Sequence, residues 1–356
     1  MYAELNYRVH ALEVPDDEEW PQQWALSAIS APLAWDIAHC DGTLVAVLDS
    51  GAYLAHPDLD AVWWTNPGEE PGNGVDDDGN GRIDDVHGWH FFQDCTEDEC
   101  EPGQDAMIDD DNGHGTHVAG IIAAETDNGI GVAGASWGAK VMVVRVLDAD
   151  GDGYYSDVAA GIRYAVDNGA RVINLSFGGD EPSQLLQDAV DYAHQQGALL
   201  VGAAGNDGRE VDYPGACRNV VAVAGTNSQD LRMSLSSHGP EVDLAAPAEG
   251  ILSTWLKPAL YRTRRGTSMA TPHVSAAAAL LWSWEPDLSA AELQQRLHRG
   301  ADDVNADSHP GWDRYLGWGR LNMYRALTGL PEPTPSPTQP IYAIRLLLPC
   351  VVADPR

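Results

Sequence analysis

The chain has 356 residues, enough to bury a large core, and one α/β domain with short extras is the natural count. Asp and Glu outnumber Lys and Arg by 54 to 20, giving a formal net charge of −34, and Lys140 and Lys257 are the only lysines. A surface that acidic argues against nucleic acid or anionic membrane as partners, and no apolar run is long enough to span a bilayer.

In chain order, the first strong signal is the apolar run at 44–48, the pattern of a buried parallel strand, which delivers Asp49-Ser50-Gly51 at its C-terminal end. His114 follows in Asn112-Gly113-His114-Gly115-Thr116-His117-Val118-Ala119-Gly120. Residues 141–147 alternate as a strand and end in Asp148-Ala149-Asp150-Gly151-Asp152-Gly153, whose alternate aspartates also permit a calcium reading. A helix is expected over 156–168 with Gly169 as its cap, then a strand over 171–175 leading to Ser176-Phe177-Gly178. A second helix over 185–196 is closed by Gly197, and a strand over 198–201 ends in Gly202-Ala203-Ala204-Gly205-Asn206. Gly266-Thr267-Ser268-Met269-Ala270-Thr271-Pro272-His273-Val274 then opens a buried helix over 269–284, with Pro272 expected in its first turn. A last amphipathic helix covers 288–299, and residues 331–340 turn to Pro, Thr, Ser and Glu before a short apolar tail. Strands alternating with helices predict a three-layer α/β fold, a mostly parallel central sheet with helices on both faces.

The chemistry converges on Ser268. A serine hydroxyl is a poor nucleophile without a base and a group that orients the base. His114 and Asp49 are the residue types that supply them, and Ser268 stands at the positive end of its helix.

Residues 66–111 form an acidic insertion. Within it, Asp76, Asp78, Asn80, the Arg82 carbonyl and Asp84 fall at the odd positions of an EF-hand-like calcium loop, with Gly81 at the sharp turn. His87 stands where that pattern needs a bidentate Glu, so a solvated acidic turn is the other reading. Cys95 and Cys100 are spaced for a small disulfide loop or, with His87 and His90, for a zinc set. Cys40, Cys217 and Cys350 have no evident partners, and five cysteines cannot all pair within one chain.

Val45-Ala46-Val47-Leu48-Asp49-Ser50-Gly51, residues 114–120 and residues 266–274 resemble, in order, the three catalytic blocks of the subtilisin-like serine proteases, the subtilases. The resemblance runs over residues 14–329, the expected peptidase domain, with 1–13 resembling the end of a propeptide and 330–356 as linker and tail. It implies an endopeptidase with Asp49, His114 and Ser268 as triad and the Asn206 amide as oxyanion donor, needing no catalytic cofactor. Gly151, Asp152 and Gly153 would pair with the substrate backbone, Tyr155 would wall a pocket, and Ser176, Phe177, Gly178, Ala203, Ala204 and Gly205 would line the cleft. Asp207 and Asp212 match the rim and base of the pocket for the residue before the cleaved bond. There they either favour Arg or Lys or face water, with Leu, Phe or Tyr as the default preference.

The resemblance also implies a structural calcium held by Asp17, Asp58, the Asn128 side chain and the carbonyls of Glu125, Ile130 and Val132. His117 and His273 are expected as packing residues. Ala248 and Ser275-Ala276 depart from the family's usual small residues by small-for-small changes. Family members are made with a signal and an inhibitory propeptide, so a secreted or surface-attached monomer acting on proteins or peptides is expected. The rival class, a non-catalytic scaffold, is expected to lack one of Asp, His, Ser or Asn, and all four are present.

Overall fold

A computed structural model describes residues 14–91 and 108–332, together with the backbone of one short strand pairing between those stretches. The propeptide-like start, the side chains of Cys95 and Cys100, and the tail with Cys350 lie outside the described residues. Along the chain run α1 (Trp24–Ala28), α2 (Ala31–Trp35), β1 (Leu44–Asp49), β2 (Gly88–His90), β3 (Cys95–Thr96), β4 (Glu99–Cys100) and α3 (His114–Ala123). There follow β5 (Lys140–Arg145), α4 (Tyr155–Asp167), β6 (Val172–Leu175), α5 (Gln184–Gln195), β7 (Leu199–Ala203), β8 (Val220–Thr226) and β9 (Val242–Pro247). The hairpin β10 (Glu249–Thr254) and β11 (Tyr261–Arg265) leads into α6 (Thr267–Trp284), α7 (Ala290–Gly300) and α8 (Met323–Thr328).

Seven strands form one sheet in the order β2-β5-β1-β6-β7-β8-β9, every neighbouring pair parallel. Side chains alternate between two cores, because successive strand residues point to opposite faces. Val45, Val47, Val141 and Val143 join Ile122 of α3 and Val274 of α6 on one side. Ala46, Leu48, Met142 and Val144 join Ile162 of α4 and Val190 of α5 on the other. Burial on both faces explains why the strands read as continuous apolar runs. The chain enters the sheet at β1, and its later neighbours β5 and β6 flank it on opposite sides. The order therefore reverses at β1, and Asp49 stands at the carboxyl end of that strand, where such a sheet leaves a crevice.

α4 and α5 each lie one residue earlier than the sequence reading, and the starts of α6 and α7 are displaced by two. α6 begins at Thr267, so Pro272 is its sixth residue and lies beyond the first turn, where it cannot donate to the Ser268 carbonyl. α7 begins at Ala290 rather than 288, because Ser289 and Glu292 form a reciprocal cap: Glu292 N–H donates to Ser289 Oγ, and Ser289 N–H to the Glu292 carboxylate.

Candidate active site

Asp49 is fully buried, and His114 opens α3 directly across from it. His114 Nδ1 donates to Asp49 Oδ1 at 2.8 Å and lies 3.0 Å from Oδ2, so the carboxylate fixes the tautomer and leaves Nε2 facing outward as acceptor. Burial opposes charging of the imidazole, but the Asp49 carboxylate outweighs it and raises the His114 pKa above the usual histidine value. Gly115 is required here by space, since a Cβ would stand 2.1 Å from the Gly51 carbonyl oxygen.

The turn before His114 is held by a residue the sequence reading missed. Asp110, buried, accepts the N–H groups of Asn112 (3.0 Å), Gly113 (2.7 Å) and Thr116 (2.9 Å). It also takes the hydroxyls of Ser50 (2.9 Å) and Thr116 (2.6 Å), tying the end of β1 to the start of α3. Its signal in the sequence was an Asp four residues before a helix-opening His, hidden inside the run of acids at 109–111.

Ser268 is the second residue of α6, in the turn whose backbone N–H groups lack intrahelical acceptors. Beside it, Asn206 Oδ1 accepts Thr267 N–H at 2.8 Å and lies 3.3 Å from Thr267 Oγ1. The backbone N–H of Thr267 on the oxygen fixes which way the amide faces and leaves Nδ2 as the group with hydrogens to give. α6 is also anchored to β6: Ser275 Oγ donates to Asn174 Oδ1 at 2.8 Å, and Asn174 Nδ2 donates to Ser176 Oγ at 2.9 Å.

Ser176 is buried and Phe177 half-buried at the end of β6, and Ala203 and Ala204 are buried at the end of β7. At 148–153 the aspartates shape a turn: Asp148 Oδ1 accepts the N–H groups of Asp150 and Asp152, both at 2.9 Å. Gly151 takes φ +88° there, and Tyr155, at the start of α4, puts its hydroxyl 2.5 Å from where a Gly179 Cβ would be. Asp207 and Asp212, left open together by the sequence, occupy different settings. Asp207 is exposed and paired with Arg209 at 2.9 Å. Asp212 is half-buried against two glycines, where a Cβ on Gly205 would stand 2.3 Å from its Oδ2 and one on Gly178 2.9 Å away. Burial, despite the Arg209 charge, pushes the Asp212 carboxyl up to about 6.

His117 and His273 are buried, donate to backbone carbonyls and are pushed by burial down to about 3 and about 4. Cys217 is buried and its thiol pushed up to about 11 by desolvation, which makes it unreactive.

The first acidic set gathers three segments around Asp17 and Asp58, 3 % and 0 % exposed. Asp58 accepts from Asn128 Nδ2 (2.9 Å) and Val132 N–H (2.8 Å), its own carbonyl accepts Glu125 N–H (3.0 Å), and Ile130 N–H donates to Asn128 Oδ1 (2.9 Å). Asp17 Oδ2 takes Asp127 N–H at 2.9 Å, whereas Asp17 Oδ1 is buried with no hydrogen-bond partner. Burial, with Asp17 repulsion added, pushes Asp58 up to about 6. A buried acid pair with an orphaned oxygen fits a hard cation.

In the acidic insertion a second set of carboxylates comes together. Among the described residues, Glu69, Asp78 and Asp85 bring one carboxylate oxygen each within 4.8 Å of one another. Of the five positions read from the sequence, Asp78 alone joins that group. Asp76 accepts the N–H groups of Gly79, Asn80 and Gly81, and Asp84 those of Gly72, Asn73 and Gly74. Asn80 Nδ2 donates to Asp78 at 2.9 Å and Asp85 at 3.1 Å, and the Arg82 guanidinium stacks over Trp89. Glu69 and Asp85 escaped the sequence reading because neither falls in its alternation. His87 Nδ1 donates to the Trp64 carbonyl at 2.7 Å, and Cys95 and Cys100 are register partners in the β3–β4 pairing.

Comparison with known proteins places these observations in a family context. The model of the Subtilase family (Peptidase_S8) matches residues 40–319. Thermitase of Thermoactinomyces vulgaris is 39% identical over 307 residues, 86% of this chain and 96% of that protein. An extracellular protease of Xanthomonas campestris is 38% identical over 346 residues, 86% of this chain and 58% of its own. Among solved structures, a protease from Pseudoalteromonas arctica superposes with a TM-score of 0.74 at 31% identity, covering 89% of this chain and 99% of that one.

Proposed function

The chain belongs to the subtilase family and is a serine-type endopeptidase, and on that premise we propose that Asp49, His114 and Ser268 carry the reaction through an acyl-enzyme. The observation that supports this reading best is the pairing of buried Asp49 with His114 Nδ1. Ser268 Oγ attacks the peptide carbonyl carbon while His114 Nε2 takes its proton. The oxyanion is held by Asn206 Nδ2 and the Ser268 N–H, both preorganised before substrate arrives. Collapse breaks the C–N bond, and the amine leaves with the proton from His114. Water then attacks the ester by the same proton path and frees the acid.

The substrate lies between the segments at 151–153 and 176–178, with Asp212 at the floor of the pocket beside Gly205. The test is the pH profile of protein hydrolysis, with products mapped to internal bonds. His114 must be neutral to accept the serine proton, and Asp49 raises its pKa. Activity is therefore expected to be lost as pH falls through a single ionisation above the ordinary histidine value of about 6.5. A rate flat from pH 5 to 8 would exclude His114 as the base.

Calcium belongs to the same reading as a structural ion that Asp17, Asp58, the Asn128 side chain and the carbonyls of Glu125, Ile130 and Val132 would hold, with Glu69, Asp78 and Asp85 as a second set. When bound it neutralises buried carboxylates and ties the N-terminal segment to the loop after α3. Chelation is expected to lower Tm by roughly 5–10 °C, restored by calcium but not by sodium. An unchanged Tm after exhaustive chelation would remove the ion from the account. Export and a propeptide ahead of residue 14 complete the reading, the first supported by the extracellular relative in Xanthomonas. Among the described residues no helix is long and apolar enough to cross a membrane.

A further inference from the structure

In a chain of net charge −34, cations concentrated in one place stand out, and they are concentrated beside the triad. β11 reads Tyr-Arg-Thr-Arg-Arg, and the turn before it holds Lys257, one of the chain's two lysines. Strand alternation puts Arg262 and Arg264 on the same face. Both guanidinium groups sit over the Trp255 ring, 4.7 and 5.1 Å from its centroid. Among the described residues no carboxylate forms an ion pair with either, so both charges are free to meet one.

This face is fixed relative to the catalytic imidazole. The indole of Trp255 lies 2.7 Å from where a Gly113 Cβ would stand, one residue before His114. Ser253 Oγ donates to the His117 carbonyl at 2.8 Å and Thr254 Oγ1 to the Thr116 carbonyl at 2.7 Å, while His117 Nε2 donates to the Arg262 carbonyl at 2.9 Å. The hairpin is thus bolted to α3, and the Arg264 charge acts on His114 itself.

The reaction decides which part of a substrate meets the arginines. The residue whose carbonyl is attacked lies by Asn206 and Gly205, with the Asp212 carboxylate beneath. The departing amine collects its proton from His114, so the residues after the cleaved bond run past the imidazole, away from the oxyanion donors and toward the Trp255 side. We propose that Arg262 and Arg264, held on Trp255, make the cleft select substrates with Asp or Glu in the first residues after the cleaved bond. The proposal rests on the peptidase reading above. Planar guanidinium forks match carboxylates, and a local cationic strip offsets the repulsion that so acidic a protein exerts on an acidic chain.

The experiment uses the full chain with calcium and three internally quenched peptides, identical except for Glu, Ala or Lys at the first two positions after the cleaved bond, the cut confirmed by mass spectrometry. kcat/KM is expected to fall in the order Glu, Ala, Lys, with Glu over Lys about tenfold at low salt and compressed at 1 M NaCl. In the double variant Arg262→Gln, Arg264→Gln the Glu-to-Ala ratio is expected to approach one. Each ratio is taken within one preparation, so a loss of folded protein does not move it. A Glu-to-Ala ratio of one or less in the unaltered enzyme, or one that persists in the double variant, would overturn the proposal. A folded protein that cuts none of the peptides, Ala included, would overturn the peptidase reading and this proposal with it.

Discussion

Ser268→Ala is expected to lower kcat by about 10⁶ while leaving the protein folded. The loss is that large because the variant has no oxygen to form the ester, and His114 and Asp49 then have nothing to activate. What survives is the residual effect of the oxyanion donors and of holding the substrate. Stability is expected to change by less than ~0.5 kcal/mol. Ser268 is only half-buried, its side chain caps nothing in the described structure, and Ala has a high intrinsic helix propensity. A Tm matching the unaltered protein, together with hydrolysis at the limit of detection, is the expected pair of results. Retention of more than about a thousandth of the activity would mean another nucleophile.

Asp49→Asn is expected to cost roughly 10⁴ in kcat with KM nearly unchanged. Asp49 is fully buried, so no substrate touches it, and its effect passes through His114. Its Oδ1 accepts both Ser50 N–H (2.8 Å) and the imidazole N–H (2.8 Å). An asparagine that keeps its oxygen on Ser50 puts its NH₂ at the Oδ2 position, 3.0 Å from Nδ1. Two N–H groups cannot face each other there, which favours the tautomer with the proton on Nε2, and Nε2 can then no longer take the serine proton. The charge that raises the His114 pKa disappears while burial remains, so the residual activity is expected to titrate at lower pH than in the unaltered enzyme. Kinetics over pH 5–9 checks both points, and a loss smaller than tenfold would assign Asp49 a packing role only.

The sheet and its flanking helices were legible because burial on both faces leaves long apolar runs, and because Gly169 and Gly197 punctuate the helices. Boundaries failed where a side chain rather than hydrophobicity sets them. Ser289 and Glu292 start α7 two residues late by capping, and α6 starts early enough to place Pro272 inside it. In the site, the motifs named Asp49 and His114, which the fold brings to 2.8 Å, but neighbours that depend on chain crossing could not be read. Asp110 looked like one more surface acid until the fold turned five donors onto it. Glu69 and Asp85 meet Asp78 only because the insertion folds back on itself. Asp207 and Asp212 were indistinguishable on paper; Arg209 and two glycines separate them in space.

The most direct test of the account is covalent labelling of the calcium-loaded protein by a fluorophosphonate, with the modified residue mapped by mass spectrometry. The account predicts one adduct, on Ser268, absent from Ser268→Ala and abolished by prior unfolding. A folded, calcium-loaded protein that stays unlabelled, or that carries the label on any residue other than Ser268, would contradict it.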